Sequence, residues 1–387
     1  MAPVRESPSR AVTRVLALFP ELLGPGGVQE SGRLTALALS KIASDQEWST
    51  TFLSLNDPKG IQSFSIAGKQ VPFMGFDRSK LHFALSVLRK RSTTRLVLAA
   101  HPYLAVPAVQ MKVANPSLKI VVMSHGVEVW KPLPRLRRGA FRRCDLFLAP
   151  SRCTAESIAK FQGIQEERIV RLPWPLNPDL LHIADRSAGL PVPADFPKGI
   201  IVLAVARLAA SERYKGIDRL ILATANLRTK IPDLSLVVVG GGDDLERHKQ
   251  LARDADIADR VRFFDDISSA DLAAFYAHAD VFALPSTGEG FGFVFLEAMA
   301  FAKSVIGVRA GGVPDIIANG ENGLLVEAGD SNGLQRALEN LLINERLRSE
   351  MGQRGAQIVR AEYQFATFRS RIREILNNCL LESKILQ

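Results

Sequence analysis

Short apolar runs rich in Val, Leu and Ile recur along this chain with amphipathic stretches between them, and that alternation admits few folds. In the first half the runs are Val12 to Phe19, Thr51 to Leu55, Leu96 to Ala100, Ile120 to Met123 and Leu146 to Ala149. Helical patterns such as Val28 to Ile42 and Lys80 to Lys90 lie between them. Strands this apolar belong in a parallel sheet covered by helices on both faces. The rhythm stops over Pro173 to Lys198, which carries six prolines and no helical period, as expected of an interdomain linker. It restarts with Ile200 to Val205, Leu236 to Val239, Val261 to Phe264, Val281 to Leu284, Val305 to Ile306 and Leu324 to Val326. With 387 residues, more than one core usually serves, the pattern predicts two Rossmann-like, doubly wound α/β domains. We place them at residues 1–184 and 199–364, with a linker at 185–198. From Ser331 onward the chain reads as helical, and the stripe Phe365, Phe368, Ile372, Ile375 and Leu376 suits burial. Residues 365–387 are therefore expected to pack back on the N-terminal domain.

Several classes are disfavoured by what the residues cannot do. Cys144, Cys153 and Cys379 lack the paired short spacings of zinc sites, and the six histidines show no HxxxH or HExxH pattern. No protein-held metal is expected. No apolar run approaches the length of a membrane span, and Met1 to Arg14 carries charges without a secretory apolar core. A cytoplasmic protein is expected.

Charge is unevenly placed. Residues 1–180 hold 25 Lys and Arg against 13 Asp and Glu, whereas the remainder holds 24 against 27, so the net charge of +9 divides into +12 and −3. Lys131 to Arg143 contains six cations and no acid. A solvated helix face accounts for such a run as well as an anionic membrane surface does, and the inner face of the plasma membrane is then the expected location. Nucleic acid is not expected, because aromatics are not interleaved with the basic residues.

The most informative segment is Pro285-Ser-Thr-Gly-Glu-Gly-Phe-Gly-Phe-Val-Phe-Leu-Glu297, where a strand ends in a glycine-rich turn and a helix begins. Glu289 falls on the turn and Glu297 about one turn into the helix, so the two acids do not stack on one face. They suit a grip on different parts of one long ligand. Gly290 and Gly292 allow close backbone approach, and N–H groups at a helix start favour anionic or hydroxyl-rich ligands. Upstream, Arg207 lies just beyond a strand and Lys215 just before a helix, an arrangement suited to a diphosphate. As a cation at a helix start, Lys215 is expected to matter little for folding. Gly24-Pro-Gly-Gly-Val28, with Gly26 and Gly27, sits between strand and helix, where backbone N–H groups can face phosphate. His125, in Ser124-His-Gly-Val-Glu-Val-Trp130, follows a strand at the edge where open α/β sheets bind ligands, and His101 is a weaker candidate of the same kind. Each feature taken singly also has a structural reading: a tight turn, a solvated charge or a packed histidine. Val239-Gly-Gly-Gly-Asp-Asp244 invites a dinucleotide reading, but Leu245 stands where the third glycine of GxGxxG would be.

Together these segments resemble glycosyltransferase family 4, also called group 1, of the GT-B fold. The Glu289–Glu297 spacing resembles its EX7E motif, and the pattern continues through Gly311-Gly-Val-Pro-Asp315 and Gly320 to Val326. Asp315 stands where Glu is usual, and Asp265 where glycine often stands, which leaves recognition of the donor base open. The resemblance implies that Glu289 and the amides of Gly290, Phe291 and Gly292 hold the donor sugar, and that Glu297 holds the ribose hydroxyls. Arg207 and Lys215 would bind the diphosphate in place of a metal, Gly26 and Gly27 would contact diphosphate or acceptor, and His125 would face the donor sugar as base or orienting group. It further implies retaining transfer of a hexose from a nucleotide-sugar donor, with no cofactor, to a glycan or lipid-linked acceptor in cell-surface polysaccharide or glycolipid synthesis. The competing readings are a sugar-nucleotide epimerase of the same architecture and a non-catalytic sugar-nucleotide-binding protein.

Overall fold

The computed structural model describes residues 12–268 and 271–381, so the ends of the expected 1–184 and 365–387 segments lie outside the described residues. The first sheet comprises β1 (Arg14–Phe19), β2 (Ser49–Ser54), β3 (Gly60–Ile66), β4 (Lys69–Gly75), β5 (Leu96–Ala99), β6 (Lys119–Met123), β7 (Leu146–Ala149) and β8 (Ile169–Arg171). Its order is β3-β4-β2-β1-β5-β6-β7-β8. The chain moves outward from β1 in both directions, so Leu16 lies between Thr51 and Val97, and a crevice opens at the carboxyl ends of β1 and β5. The second sheet comprises β9 (Ile200–Val205), β10 (Leu234–Val239), β11 (Val261–Phe264), β12 (Val281–Leu284), β13 (Ser304–Val308) and β14 (Gly323–Val326). Its order, β11-β10-β9-β12-β13-β14, has the same reversal between β9 and β12. Two doubly wound parallel sheets were the sequence expectation, and the architecture has them.

Two features depart from the sequence reading. Among the described residues, strands β3 and β4 form the one antiparallel pair, closed by Ala67 and Gly68, both at positive φ (52° and 69°), the two-residue turn that matches strand twist. The proline-rich segment also contains a helix, Pro178–Ala184. Asn177 caps it by accepting from the Asp179 N–H at 2.9 Å, and Pro178 occupies the first turn, where a missing N–H costs nothing. The rest of the linker lies on the second domain: Phe196 packs edge-on against Phe275, and His278 Nε2 donates to the Leu190 carbonyl at 3.0 Å.

The helical tail forms three helices, Ser331–Ile343, Glu345–Glu362 and Phe365–Leu381. The last one crosses back to the first domain. Phe368, Ile372 and Leu376 are buried, Phe368 meets Trp174 edge-on, and Lys41 of the first helix (Gly27–Gln46) lies over the Phe365 ring. Among the described residues, no helix is long and apolar enough to cross a membrane.

Candidate active site

The turn after β12 and the helix Phe293–Ala300 carry both glutamates of the EX7E segment. Gly216, at φ 76°, packs so closely on the Pro285 carbonyl that a β-carbon would collide with it. That approach brings Lys215, just before the helix Ile217–Leu227, onto the turn, where its Nζ donates to Glu289 Oε1 at 2.7 Å. Both side chains are largely buried, at 19% and 11% exposure. The expectation that Lys215 is a surface cation with little role in folding is thereby corrected, since it neutralises a carboxylate that has little water of its own. Among the described residues, no protein acceptor takes the N–H groups of Gly290, Phe291 or Gly292.

Glu297 is half-buried and accepts from the Tyr276 hydroxyl at 2.7 Å. Burial pushes its carboxyl up to about 7; the Tyr276 hydrogen bond opposes the rise, and Glu30 of the first helix adds to it. At neutral pH this acid is therefore poised between its two states.

Arg207, just past β9, is 70% exposed and pairs with Glu212 Oε1 at 2.6 Å, Glu212 being the less exposed partner at 15%. Glu212 belongs to a short 3₁₀ segment, Ala210–Lys215, that is stitched to the glycine loop after β10. The Ala210 N–H donates to Asp243 at 2.7 Å, and Arg213 grips Asp244 at 2.8 and 3.1 Å. Arg247 and Arg213 hold the buried Asp244 carboxyl well below the usual range. The Gly240–Asp244 loop, a dinucleotide fingerprint at first sight, thus braces the segment that carries Lys215.

On the facing domain, Gly26 (φ 120°) precedes the first helix and Gly27 begins it, with Phe293 of the second domain beside Gly27. The loop leading there is tied by Asp57, which accepts from the N–H groups of Leu22 (2.7 Å) and Leu23 (3.0 Å) and from the Ser54 hydroxyl (2.5 Å). His125 Nε2 donates to the Ala100 carbonyl at 2.7 Å, and its Nδ1 lies 3.2 Å from the Ser31 hydroxyl. A carbonyl can only accept, which assigns the proton to Nε2. Both ring nitrogens thus face protein partners, while the Glu128 carboxylate takes the His125 N–H at 2.5 Å. His101 stacks on His125, and burial, helped by His125 and Arg137, pulls it down to about 3, so it is neutral at pH 7.

The domains meet backbone to backbone. Gly126 (φ 147°) lies against Gly290 with no room for a β-carbon on either, and Ser151 Oγ donates to the Gly290 carbonyl at 2.8 Å. Asp315 takes the Arg152 N–H at 2.5 Å across the same seam. Of the residues singled out from sequence, Lys215, Glu289, Gly290 to Gly292 and the His125 loop converge here. Gly27 approaches from the other side, and Arg207 is paired with Glu212. The sequence reading missed Asp57, Glu212 and Tyr276. Only the Asp57 position, soon after a strand end, carried any signal, since carboxylates recur as caps of exposed loop N–H groups. Among the described residues no group of three or more His, Cys, Asp or Glu is arranged to hold a metal.

Comparison with known proteins places this arrangement. Residues 36–180 match the Glycosyltransferase Family 4 model and residues 192–358 the model for Glycosyl transferases group 1. A GDP-mannose-dependent alpha-(1-6)-phosphatidylinositol monomannoside mannosyltransferase of Mycolicibacterium smegmatis is 33% identical over 278 residues, covering 67% of this chain and 70% of that protein. A D-inositol 3-phosphate glycosyltransferase of Corynebacterium glutamicum is 30% identical over 222 residues, which span 56% of this chain and about half (51%) of the relative. The fold of Anabaena HepE, solved in complex with UDP-glucose, matches with a TM-score of 0.72 at 20% identity, covering 94% of this chain and 99% of HepE.

Proposed function

The chain belongs to the GT-B glycosyltransferases, with a family 4 domain followed by a group 1 domain, and on that premise we propose that it moves a hexose from a nucleotide-diphosphate donor with retention of configuration and without a metal. The observation that carries this reading is the Lys215–Glu289 pair at 2.7 Å beside the unbonded amides of residues 290–292. A diphosphate drawn to Lys215 and Arg207 leaves Glu289 to accept from sugar hydroxyls, and the two cations stabilise charge as it develops on the leaving group, the work a divalent ion does elsewhere. Glu289 is engaged as a hydrogen-bonding group, so the reading favours front-face attack in which the departing diphosphate takes the acceptor's proton. In this reading His125 holds its loop against Ala100 and Ser31 rather than acting as a base, because its Nε2–H donates to the Ala100 carbonyl and its Nδ1 faces the Ser31 hydroxyl. The protein needs no cofactor, the nucleotide sugar being its substrate.

The acceptor is read as a glycan or a lipid-linked, phosphate-bearing polyol. The two relatives described above are named for phosphorylated inositols, and the N-terminal 180 residues of this chain carry the +12 excess. The helix Arg135–Arg142, anchored by buried Phe141, leaves Arg135, Arg137 and Arg142 exposed with Leu136 among them. Leu81 and Val113 are exposed on neighbouring helices. Mixed arginine and aliphatic surface suits the headgroup region of an anionic membrane, with the protein on its cytoplasmic side.

Incubating the purified chain with GDP-mannose or UDP-glucose and inositol phosphate or phosphatidylinositol acceptors, with and without EDTA, tests the reading. The expected product keeps the donor's anomeric configuration by NMR and forms in chelator. Inverted product would overturn the stereochemical part, and activity lost to EDTA and restored by magnesium or manganese would overturn the metal-free part.

A further inference from the structure

Each cation assigned to the diphosphate is already held by a carboxylate of the same domain: Lys215 by Glu289, and Arg207 by Glu212. The first acid has a task once the donor arrives. Glu212 has none in the proposed transfer, yet it is the more deeply placed partner of its pair, 15% exposed against 70% for Arg207.

Its position does not depend on Arg207. The segment Ala210–Lys215 is pinned at one end by the Ala210 N–H on Asp243 and at the other by the Thr287 N–H on the Tyr214 carbonyl at 2.9 Å, with Arg213 locked on Asp244 between them. Helical geometry breaks at Glu212 itself (φ −117°, ψ 26°). The carboxylate is therefore presented by a braced backbone, whereas the exposed guanidinium is free to turn. Tyr214 packs on Gly288 and Lys215 lies over the Tyr214 ring, so this brace is continuous with the Glu289 turn.

We infer that Glu212 masks Arg207: the carboxylate competes with the donor's diphosphate for the guanidinium and reclaims it as the nucleoside diphosphate leaves. The inference rests on the reading of Arg207 as a diphosphate ligand. A fixed internal anion at this place weakens binding of donor and nucleotide product alike, which speeds product departure at the expense of affinity. Its effect is confined to ligands that carry phosphate.

Calorimetric titration of the full chain with GDP and UDP, and with guanosine and uridine, tests it in the parent, Glu212→Gln, Arg207→Gln and the double variant. Glu212→Gln is expected to bind the tighter nucleoside diphosphate about fivefold more strongly, the worth of one exposed ion pair, with nucleoside affinity unchanged and stronger product inhibition. Adding Arg207→Gln should abolish the gain. If Glu212→Gln leaves diphosphate affinity unchanged or weakens it while Arg207→Gln weakens it, masking is overturned and the site reading stands. If Arg207→Gln alone has no effect on diphosphate affinity, the site reading itself fails. Should Glu212→Gln not fold, Glu212→Ala makes the same prediction.

Discussion

The Tyr276 hydroxyl, on the helix Leu272–His278, donates to the Glu297 carboxylate at 2.7 Å, so the second acid of the EX7E segment has one oxygen already engaged. Burial raises this acid to about 7, from an ordinary value of 4.5. Between those values the folded chain holds a proton that the unfolded chain has released. Stability therefore falls as pH rises through this window, by a few kcal/mol at most. Glu297→Gln should flatten the dependence of Tm on pH between about 5 and 7.5 relative to the parent. A parallel decline in both proteins would remove Glu297 as its source.

The same group gives binding a pH dependence of opposite sign. Ribose hydroxyls donate best to the ionised carboxylate, so nucleotide affinity should rise between pH 6 and 8 and be accompanied by proton release. Titration calorimetry in two buffers of different ionisation enthalpy measures that proton directly. Glu297→Gln should show neither effect, and a parent protein with pH-independent affinity would separate Glu297 from the ribose.

Lys215→Ala leaves Glu289 nearly buried without its cation, so it should cost about 1–3 kcal/mol in stability as well as weakening nucleotide binding. Glu289→Ala should lower kcat by a factor on the order of 30 to 1000, the scale of losing one positioned electrostatic contact. Chemical denaturation and steady-state kinetics check the two. Near-normal turnover in Glu289→Ala would dissociate it from the donor sugar.

Gly126→Ala tests the seam. A β-carbon there collides with Gly290 and also strains a backbone at φ 147°. Because the nucleotide ligands proposed lie on the second domain, the variant should lose turnover at least about tenfold while nucleoside diphosphate affinity changes by less than about twofold. Equal loss of both would mean that the seam shapes the nucleotide site itself.

Replacing Arg135, Arg137, Arg138, Arg142 and Arg143 with Gln should reduce sedimentation with phosphatidylglycerol liposomes at low salt and leave turnover on a soluble acceptor unchanged. Several cations at roughly 1 kcal/mol each support reversible, salt-sensitive binding. A parent protein that does not sediment favours a soluble acceptor.

Local chemistry carried much of this molecule. Apolar runs too uniform for a one-sided sheet marked parallel strands, glycines before helices marked the loops that face the cleft, and eight-residue spacing separated Glu289 from Glu297 along one ligand-sized stretch. These are consequences of period and backbone freedom, which any short window of sequence contains. The hairpin of β3 and β4 was also legible in its alternation, and was missed because short half-polar strands resemble loop.

What the tertiary structure alone decided are the partnerships. Glu212 is five residues from Arg207, Tyr276 twenty-one from Glu297, and Lys215 seventy-four from Glu289. No periodicity links such pairs: Lys215 meets Glu289 because β9 and β12 lie side by side in the sheet, Glu212 meets Arg207 in a loop held by Asp243 and Asp244, and Tyr276 meets Glu297 across the two ends of β12. The ionisation of Glu297 and the sharing of Lys215 depend in turn on how much water the packed elements exclude. Exclusion of water belongs to the assembled fold and to no segment of the chain by itself.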